Sequence, residues 1–265
     1  MPFMRVDDIT VHYQLDGPRT GPVVLLANSL GTDLHMWDAQ VDALAGTRRV
    51  LRYDMRGHGL TDTTPDDDPA KATIAQLAHD AEGLLDGLGI ARADFVGLSI
   101  GGLVAQRLAA TRPDRAGALV LCATFNYNPS NDVWNQRIET VRREGTESVA
   151  GATMQRWFTP RMHAERPEVV AGFANMVRRT PRAGYAACAT AVRDADLRED
   201  DSRIRARTLI VAGKDDASAG PQAAAALQGA IAGARTEVVD EAMHIVNAER
   251  PDRFNAIVTA FLEGS

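Results

Sequence analysis

The stretch Phe95 to Gly102, FVGLSIGG, decides how this chain is read. An apolar run ends at a serine with a glycine two places to either side, and a helical pattern follows. Gly97-x-Ser99-x-Gly101 is the pattern of a nucleophile elbow, a sharp strand-to-helix turn that lifts a hydroxyl out of a sheet. The flanking glycines avoid side-chain collisions where the turn meets the next helix. The competing reading is an ordinary tight turn with a serine at a helix start. Strand, turn and helix in the required order favour the elbow, so the surrounding chain must supply an open α/β sheet.

It does. The runs VVLLA (Val23 to Ala27), VLRY (Val50 to Tyr53), DFVGL (Asp94 to Leu98), ALVLCA (Ala118 to Ala123), TLIVA (Thr208 to Ala212) and EVV (Glu237 to Val239) read as strands. Several are apolar without alternation, as in a parallel sheet covered on both faces. Helical patterns lie between them. Ile74, Leu77, Ala78, Ala81, Leu84, Leu85 and Leu88 share one face, and TIAQ (Thr73 to Gln76) fits a capping box at its start. Phe254, Ile257, Val258, Phe261 and Leu262 repeat the spacing near the end. The expected class is α/β, with a mostly parallel sheet flanked by helices.

Between about Phe125 and Ala206 the alternation stops and only helical patterns remain, with several arginines. The expected organisation is therefore a core over 1–124 and 206–265, with a helical cap insertion over 125–205 that roofs the site. The biased tract TDTTPDDDPA (Thr61 to Ala70) reads as a solvated loop.

The 265 residues, 45% hydrophobic and 24% charged, suffice for a large core. A net charge of −6 spread along the chain gives no nucleic-acid footprint and no membrane patch. Cys122 and Cys188 form no disulfide framework or metal spacing and read as buried reduced thiols. The N-terminus has no apolar signal region and no run reaches membrane-spanning length, so a cytoplasmic location is expected. The oligomeric state stays open.

A serine hydroxyl needs a base, and the base needs a carboxylate to fix its tautomer. His244 follows the strand EVV and precedes the final helix, which places it at a strand's carboxyl end, where open α/β sheets bind ligands. His12, His79 and His163 have bland readings, and His35 and His58 lie in loops near the site as weaker rivals. VAGKDD places Asp215 and Asp216 just after the strand TLIVA, and either could be the acid. Ser, Asp, His is the chain order of an α/β-hydrolase triad. For the oxyanion, the backbone N–H of Ile100 and that of Leu30, in the loop NSLG (Asn28 to Gly31), are the expected donors. Arg56 and His58, in DMRGHG (Asp54 to Gly59), read as loop-bracing residues.

Read together, NSLGTDLHMWDAQ, VLRYDMRGHG, GLSIGGLVAQ, LVLCAT, VWNQRIETVR, RWFTP and VAGKDDAS resemble the 3-oxoadipate enol-lactonases of bacterial aromatic catabolism, within the α/β-hydrolase superfamily. The similarity runs from about Val6 to Leu262, insertion included, and implies the α/β-hydrolase fold with an eight-stranded, mostly parallel sheet flanked by helices. NSLGTDLHMW with VWNQRIETVR is its specific part; the core motifs are shared across the superfamily. The resemblance puts the nucleophile on Ser99, the base on His244 and the acid on Asp216 rather than Asp215. The family usually has a threonine or proline soon after the acid, and ASAGP departs mildly. Some relatives are fused to a carboxymuconolactone decarboxylase; this chain is expected to be the lactonase unit alone.

The resemblance implies hydrolysis of 3-oxoadipate enol-lactone through an acyl-enzyme, with no metal or cofactor required. The substrate's carboxylate calls for a cation. Arg137, three residues after Trp134 on one helix face, is the candidate, with Trp134 walling the ring. A surface arginine beside a core tryptophan is the competing reading. Trp157 is expected to pack the insertion onto the core or to face the pocket. Rivals on the same scaffold are another small-acid carboxylesterase with perhydrolase activity, a carbon–carbon bond hydrolase, or a ligand-binding receptor that keeps the fold.

Overall fold

The computed structural model describes residues 1–63, 72–129 and 131–264. Residues 64–70 of the tract read as a solvated loop lie outside the described residues. The chain begins with a hairpin, β1 (Phe3–Val6) and β2 (Ile9–Asp16), whose Ile9 and Val11 turn inward. β3 (Val23–Ala27) leads through a 3-10 turn (Leu34–Trp37) and α1 (Asp38–Leu44) to β4 (Arg49–Tyr53). Then come α2 (Ile74–Gly87), β5 (Ala93–Leu98), α3 (Ile100–Thr111) and β6 (Ala116–Cys122).

A helical stretch follows: α4 (Asn131–Glu144), α5 (Glu147–Trp157), α6 (Pro160–Glu165), α7 (Pro167–Arg179), α8 (Arg182–Arg193) and α9 (Arg198–Asp201). The sheet resumes with β7 (Thr208–Gly213), α10 (Pro221–Ala230) and β8 (Arg235–Val239), and the chain closes with α11 (Val246–Glu249) and α12 (Pro251–Glu263).

The eight strands form one sheet in the order β1-β2-β4-β3-β5-β6-β7-β8. β2 is antiparallel to both of its neighbours, and every other pair is parallel. Every residue of β3, β5 and β7 is buried, which accounts for their unbroken apolar sequence. α12 buries Phe254, Ile257, Val258, Phe261 and Leu262, each worth about 2 kcal/mol of apolar transfer.

α2 buries the expected stripe, with Leu88 at its C-cap only partly covered. Its start differs from a full capping box. Thr73 Oγ1 accepts the Gln76 N–H at 3.1 Å, but the Gln76 amide donates to Asp80 at 3.0 Å instead of turning back to the cap. Asp80 is buried and holds Arg56 as well, so the glutamine completes a buried network in preference to the local bond.

From the segment between β6 and β7, α8 packs on the loop after β4 and α9 packs on α3. Gly184 on α8 packs against Gly57 so closely that a side chain at Gly184 would meet the Gly57 carbonyl at 2.2 Å. Cys188 lies one turn further along, with its thiol 3.5 Å from the Arg56 carbonyl. Both cysteines are free and buried. Among the described residues no helix is long and apolar enough to cross a membrane.

Candidate active site

Ser99 stands between the last residue of β5 and the first of α3, with φ 58° and ψ −118°. A non-glycine residue at positive φ is strained by about 1–3 kcal/mol and persists only when its surroundings over-determine it. Here they do. The Ser99 N–H donates to the Cys122 carbonyl at 2.9 Å, and its carbonyl accepts from Gly102 N–H and from Thr124 Oγ1. The flanking glycines are sterically required: a Cβ on Gly97 would lie 2.2 Å from the Gly101 carbonyl, and one on Gly101 2.1 Å from the Ala27 carbonyl.

Backbone N–H groups around the turn are mostly spoken for. Ser99, Gly101, Gly102 and Leu103 donate to Cys122, Asn28, Ser99 and Ser99 respectively. Ile100, as the first residue of α3, has no acceptor in its own helix. The loop after β3 repeats this arrangement. Asn28 is fixed by bonds to the Trp37 indole and the Tyr53 carbonyl, each 3.0 Å. Ser29 N–H points at Met36 Sδ, Gly31 N–H donates to His58 Nε2 at 2.9 Å, and Thr32 N–H returns to the Ser29 carbonyl. The Leu30 N–H between them has no acceptor among the described residues. The bond from Gly101 N–H to the Asn28 carbonyl, 3.0 Å, ties the two segments together. Two free donors thus stand on adjoining segments, one of them at a helix N-terminus, where partial positive charge gathers.

His58 is fully buried, with Nδ1 3.1 Å from the Arg56 carbonyl and Nε2 accepting from Gly31. Burial depresses its pKa, which keeps it a neutral acceptor. Arg56 is held by both oxygens of Asp80. Both residues brace loops, as their sequence context suggested. His12 is likewise structural, buried against Asp54 at 2.7 Å.

His244 Nδ1 lies 2.8 Å from Asp216 Oδ2, while Asp215 is exposed. Asp216 Oδ1 is saturated by the Ser218 hydroxyl at 2.6 Å and by the N–H groups of Ser218 and Ala219. Burial raises the Asp216 carboxyl, but His244 and the Ser218 bonds outweigh it and bring it down to about 2. The serine in ASAGP thereby supplies the local bonds this loop needs.

The loop carrying His244 does not stay beside β8. Asp215 N–H donates to the Ala242 carbonyl at the end of β7, and Asn247 donates to the Met36 carbonyl and Gln40 beyond β3. The loop therefore crosses the carboxyl ends of β6 and β5, where Ser99 stands.

From the helical segment, Trp157 stacks on His244 with centroids 6.4 Å apart and planes 22° apart. It is nearly buried and also meets Phe173 edge-on, so it both packs the segment and faces the site. Trp134 and Arg137 stack together on α4, the guanidinium 5.0 Å from the indole centre. Tyr185, which the sequence reading did not single out, reaches the loop after β3 from α8. Its ring packs on Gly31, beside Leu30, closely enough to meet a side chain there at 3.0 Å. Burial raises its hydroxyl pKa, opposed by the Arg137 guanidinium and by Thr153. A groove of about 380 Å³ between α4 and α8, lined by Asn135, Glu139, Arg142 and Arg193, includes none of these residues in its lining.

A family model described as alpha/beta hydrolase fold matches residues 22–251. The chain is 33% identical over 260 residues to 3-oxoadipate enol-lactonase 2 of Acinetobacter baylyi, covering 98% of this chain and 96% of that one. A Rhizobium rhizogenes protein named for carbamate hydrolysis, RutD, is 30% identical over 94% of this chain and 95% of its own length. The crystal structure of the enol-lactonase from Burkholderia xenovorans superposes with a TM-score of 0.95 at 41% identity, over 99% of this chain and 100% of that one.

Proposed function

The chain belongs to the α/β-hydrolase family and is a hydrolytic enzyme, and from that premise we propose that it opens 3-oxoadipate enol-lactone to 3-oxoadipate through an acyl-enzyme on Ser99. The observation that carries the reading is the pair of free N–H groups, Leu30 and Ile100, beside a strained serine at the mouth of β5.

In this reaction Ser99 Oγ attacks the lactone carbonyl while His244 Nε2 takes its proton. Asp216, ionised and anchored by Ser218, holds Nδ1–H toward itself and stabilises the imidazolium. The tetrahedral oxygen collects negative charge between the two free N–H groups. Collapse breaks the ring C–O bond, and the leaving oxygen departs as an enolate, which asks less of His244 as an acid than an alkoxide would. The enol stays tethered to the acyl group; its tautomerisation to the ketone opposes ring closure. Water, deprotonated by His244, then releases 3-oxoadipate and restores Ser99. The reaction belongs to the β-ketoadipate route of aromatic catabolism. The helical segment over 125–205 serves as the cap of this site.

The acetate arm of the substrate pairs with Arg137, while Trp134 and Trp157 wall the ring. Among the described residues Arg137 has no carboxylate partner, and its influence reaches Tyr185 against the oxyanion loop. The relatives named for carbamate hydrolysis support a second reading with the same nucleophile and a substrate without the acetate arm. The two separate on the enol-lactone, p-nitrophenyl acetate and carbamate, assayed with wild type and Arg137→Ala. The lactone reading expects KM for the enol-lactone to rise roughly 10- to 100-fold in Arg137→Ala, the worth of one charge-assisted pair, with the neutral ester unaffected. Turnover of carbamate with no turnover of the enol-lactone reverses the assignment.

A further inference from the structure

Glu249 lies five residues beyond His244, at the end of α11, and is buried. Its carboxylate accepts from three donors. Oε2 takes the N–H of Met243, the residue before His244, at 2.7 Å. Oε1 takes the N–H and the hydroxyl of Thr159, at 2.8 and 2.6 Å. Thr159 follows the helix whose last residue, Trp157, stacks on His244. On the other side of the histidine, the Ile245 N–H donates to the Trp157 carbonyl at 3.3 Å. Both backbone N–H groups flanking His244 are thus tied to the stretch Trp157–Thr159, one directly and one through Glu249.

We propose that Glu249 is a positioning residue for the proposed base. It sets the direction of the His244 loop from the Met243 side and clamps the Trp157–Thr159 corner to that loop, so that the imidazole and the indole stacked on it move as one unit. The inference rests on the reading of His244 as the base. A carboxylate suits the post because all three partners are donors and an anion accepts from all of them. Glutamine, nearly the same in shape, would turn an NH2 group toward either Thr159 or Met243 and set donor against donor. Misplacement of a catalytic group by about 1 Å costs up to roughly 100-fold in rate.

The test compares Glu249→Gln, Thr159→Val and His244→Ala with wild type on the enol-lactone and on p-nitrophenyl acetate. It records kcat, KM, melting temperature and the pH-dependent part of tryptophan emission that Trp157→Phe removes. The expected result for Glu249→Gln is a kcat lowered roughly 10- to 100-fold on both substrates with KM within about threefold, and a weakened pH-dependent Trp157 signal. Thr159→Val, which removes one donor to Glu249 together with the hydroxyl that caps α6 at Met162, is expected to lower kcat by a smaller factor in the same direction. A kcat within twofold of wild type in both variants, with the Trp157 signal intact, overturns the proposal whatever happens to the melting temperature. Activity retained in His244→Ala removes the base assignment itself, and the role of Glu249 falls with it. If His244→Ala is inactive and both other variants are normal, the base stands and only Glu249 loses its role.

Discussion

The Trp157 indole lies nearly parallel to the His244 imidazole, 6.4 Å between ring centres, and its backbone carbonyl takes the N–H of Ile245, the residue after the histidine. One aromatic residue of the helical segment therefore lies beside the buried histidine and ties down the loop that bears it. Trp157→Phe preserves a ring there and is expected to keep activity within about threefold. Trp157→Ala leaves a void beside Phe173 and should cost about 3 kcal/mol in urea unfolding, together with a clear fall in kcat.

Asp216 and Asp215 are adjacent in sequence and opposite in consequence. Asp216→Asn keeps the shape but no longer holds His244 in the Nδ1–H form, so kcat is expected to drop by about 10⁴. Asp215→Asn alters an exposed side chain and should leave kcat within twofold. Steady-state rates of the two purified variants decide this directly.

The same carboxylate gives a pH signature. Its folded pKa of about 2 lies below the ordinary 3.8, so the folded state binds fewer protons than the unfolded state as acid is added. The stability it contributes, about 2 kcal/mol, is complete above the unfolded value and is lost as pH falls from near 4 toward 2. In urea unfolding the advantage of wild type over Asp216→Asn should shrink across that window. A constant difference from pH 5 to pH 2.5 would show that the carboxylate's ionisation is not the cause.

The elbow leaves no room for a methyl group at Gly101. A Cβ there meets backbone, the Ala27 carbonyl at 2.1 Å, so nothing flexible can give way. Gly101→Ala is expected to destabilise the fold by about 3 kcal/mol or more and to displace the loop bearing Leu30, since Gly101 N–H also holds the Asn28 carbonyl. Gly229→Ala, where nothing lies within 4 Å, is the matched control. Melting temperatures of the pair give the comparison.

Much of this architecture is legible in the sequence because the central strands are buried on both faces and announce themselves as unbroken apolar runs. VVLLA and TLIVA need no tertiary information to be read as strands, and residues just past them fall at one edge of the sheet. The N-terminal hairpin is less plain: β1 mixes exposed and buried residues, and its pairing with β2 does not register as a run. Glu249 and Tyr185 were not foreseeable by the same means. Glu249 meets Thr159 across 90 positions, and Tyr185 reaches Gly31 only through the seating of α8 on Gly57. In both cases the signal is the placement of the helical segment, which no local pattern encodes. A buried acid shortly after the histidine, in HIVNAERP, is the one hint the sequence offers for Glu249.

The account turns on Ser99 as the nucleophile of an enol-lactone hydrolase. Its most direct test is the loss of enol-lactone ultraviolet absorbance, with the lactone generated in situ and with wild type and Ser99→Ala run side by side at equal concentration. The account predicts rapid loss with wild type and a rate lowered by about 10⁴ to 10⁶ in Ser99→Ala, while the variant keeps the wild-type melting temperature. Loss of the enol-lactone at comparable rates with both proteins would contradict it, and so would a wild-type enzyme that leaves the enol-lactone untouched.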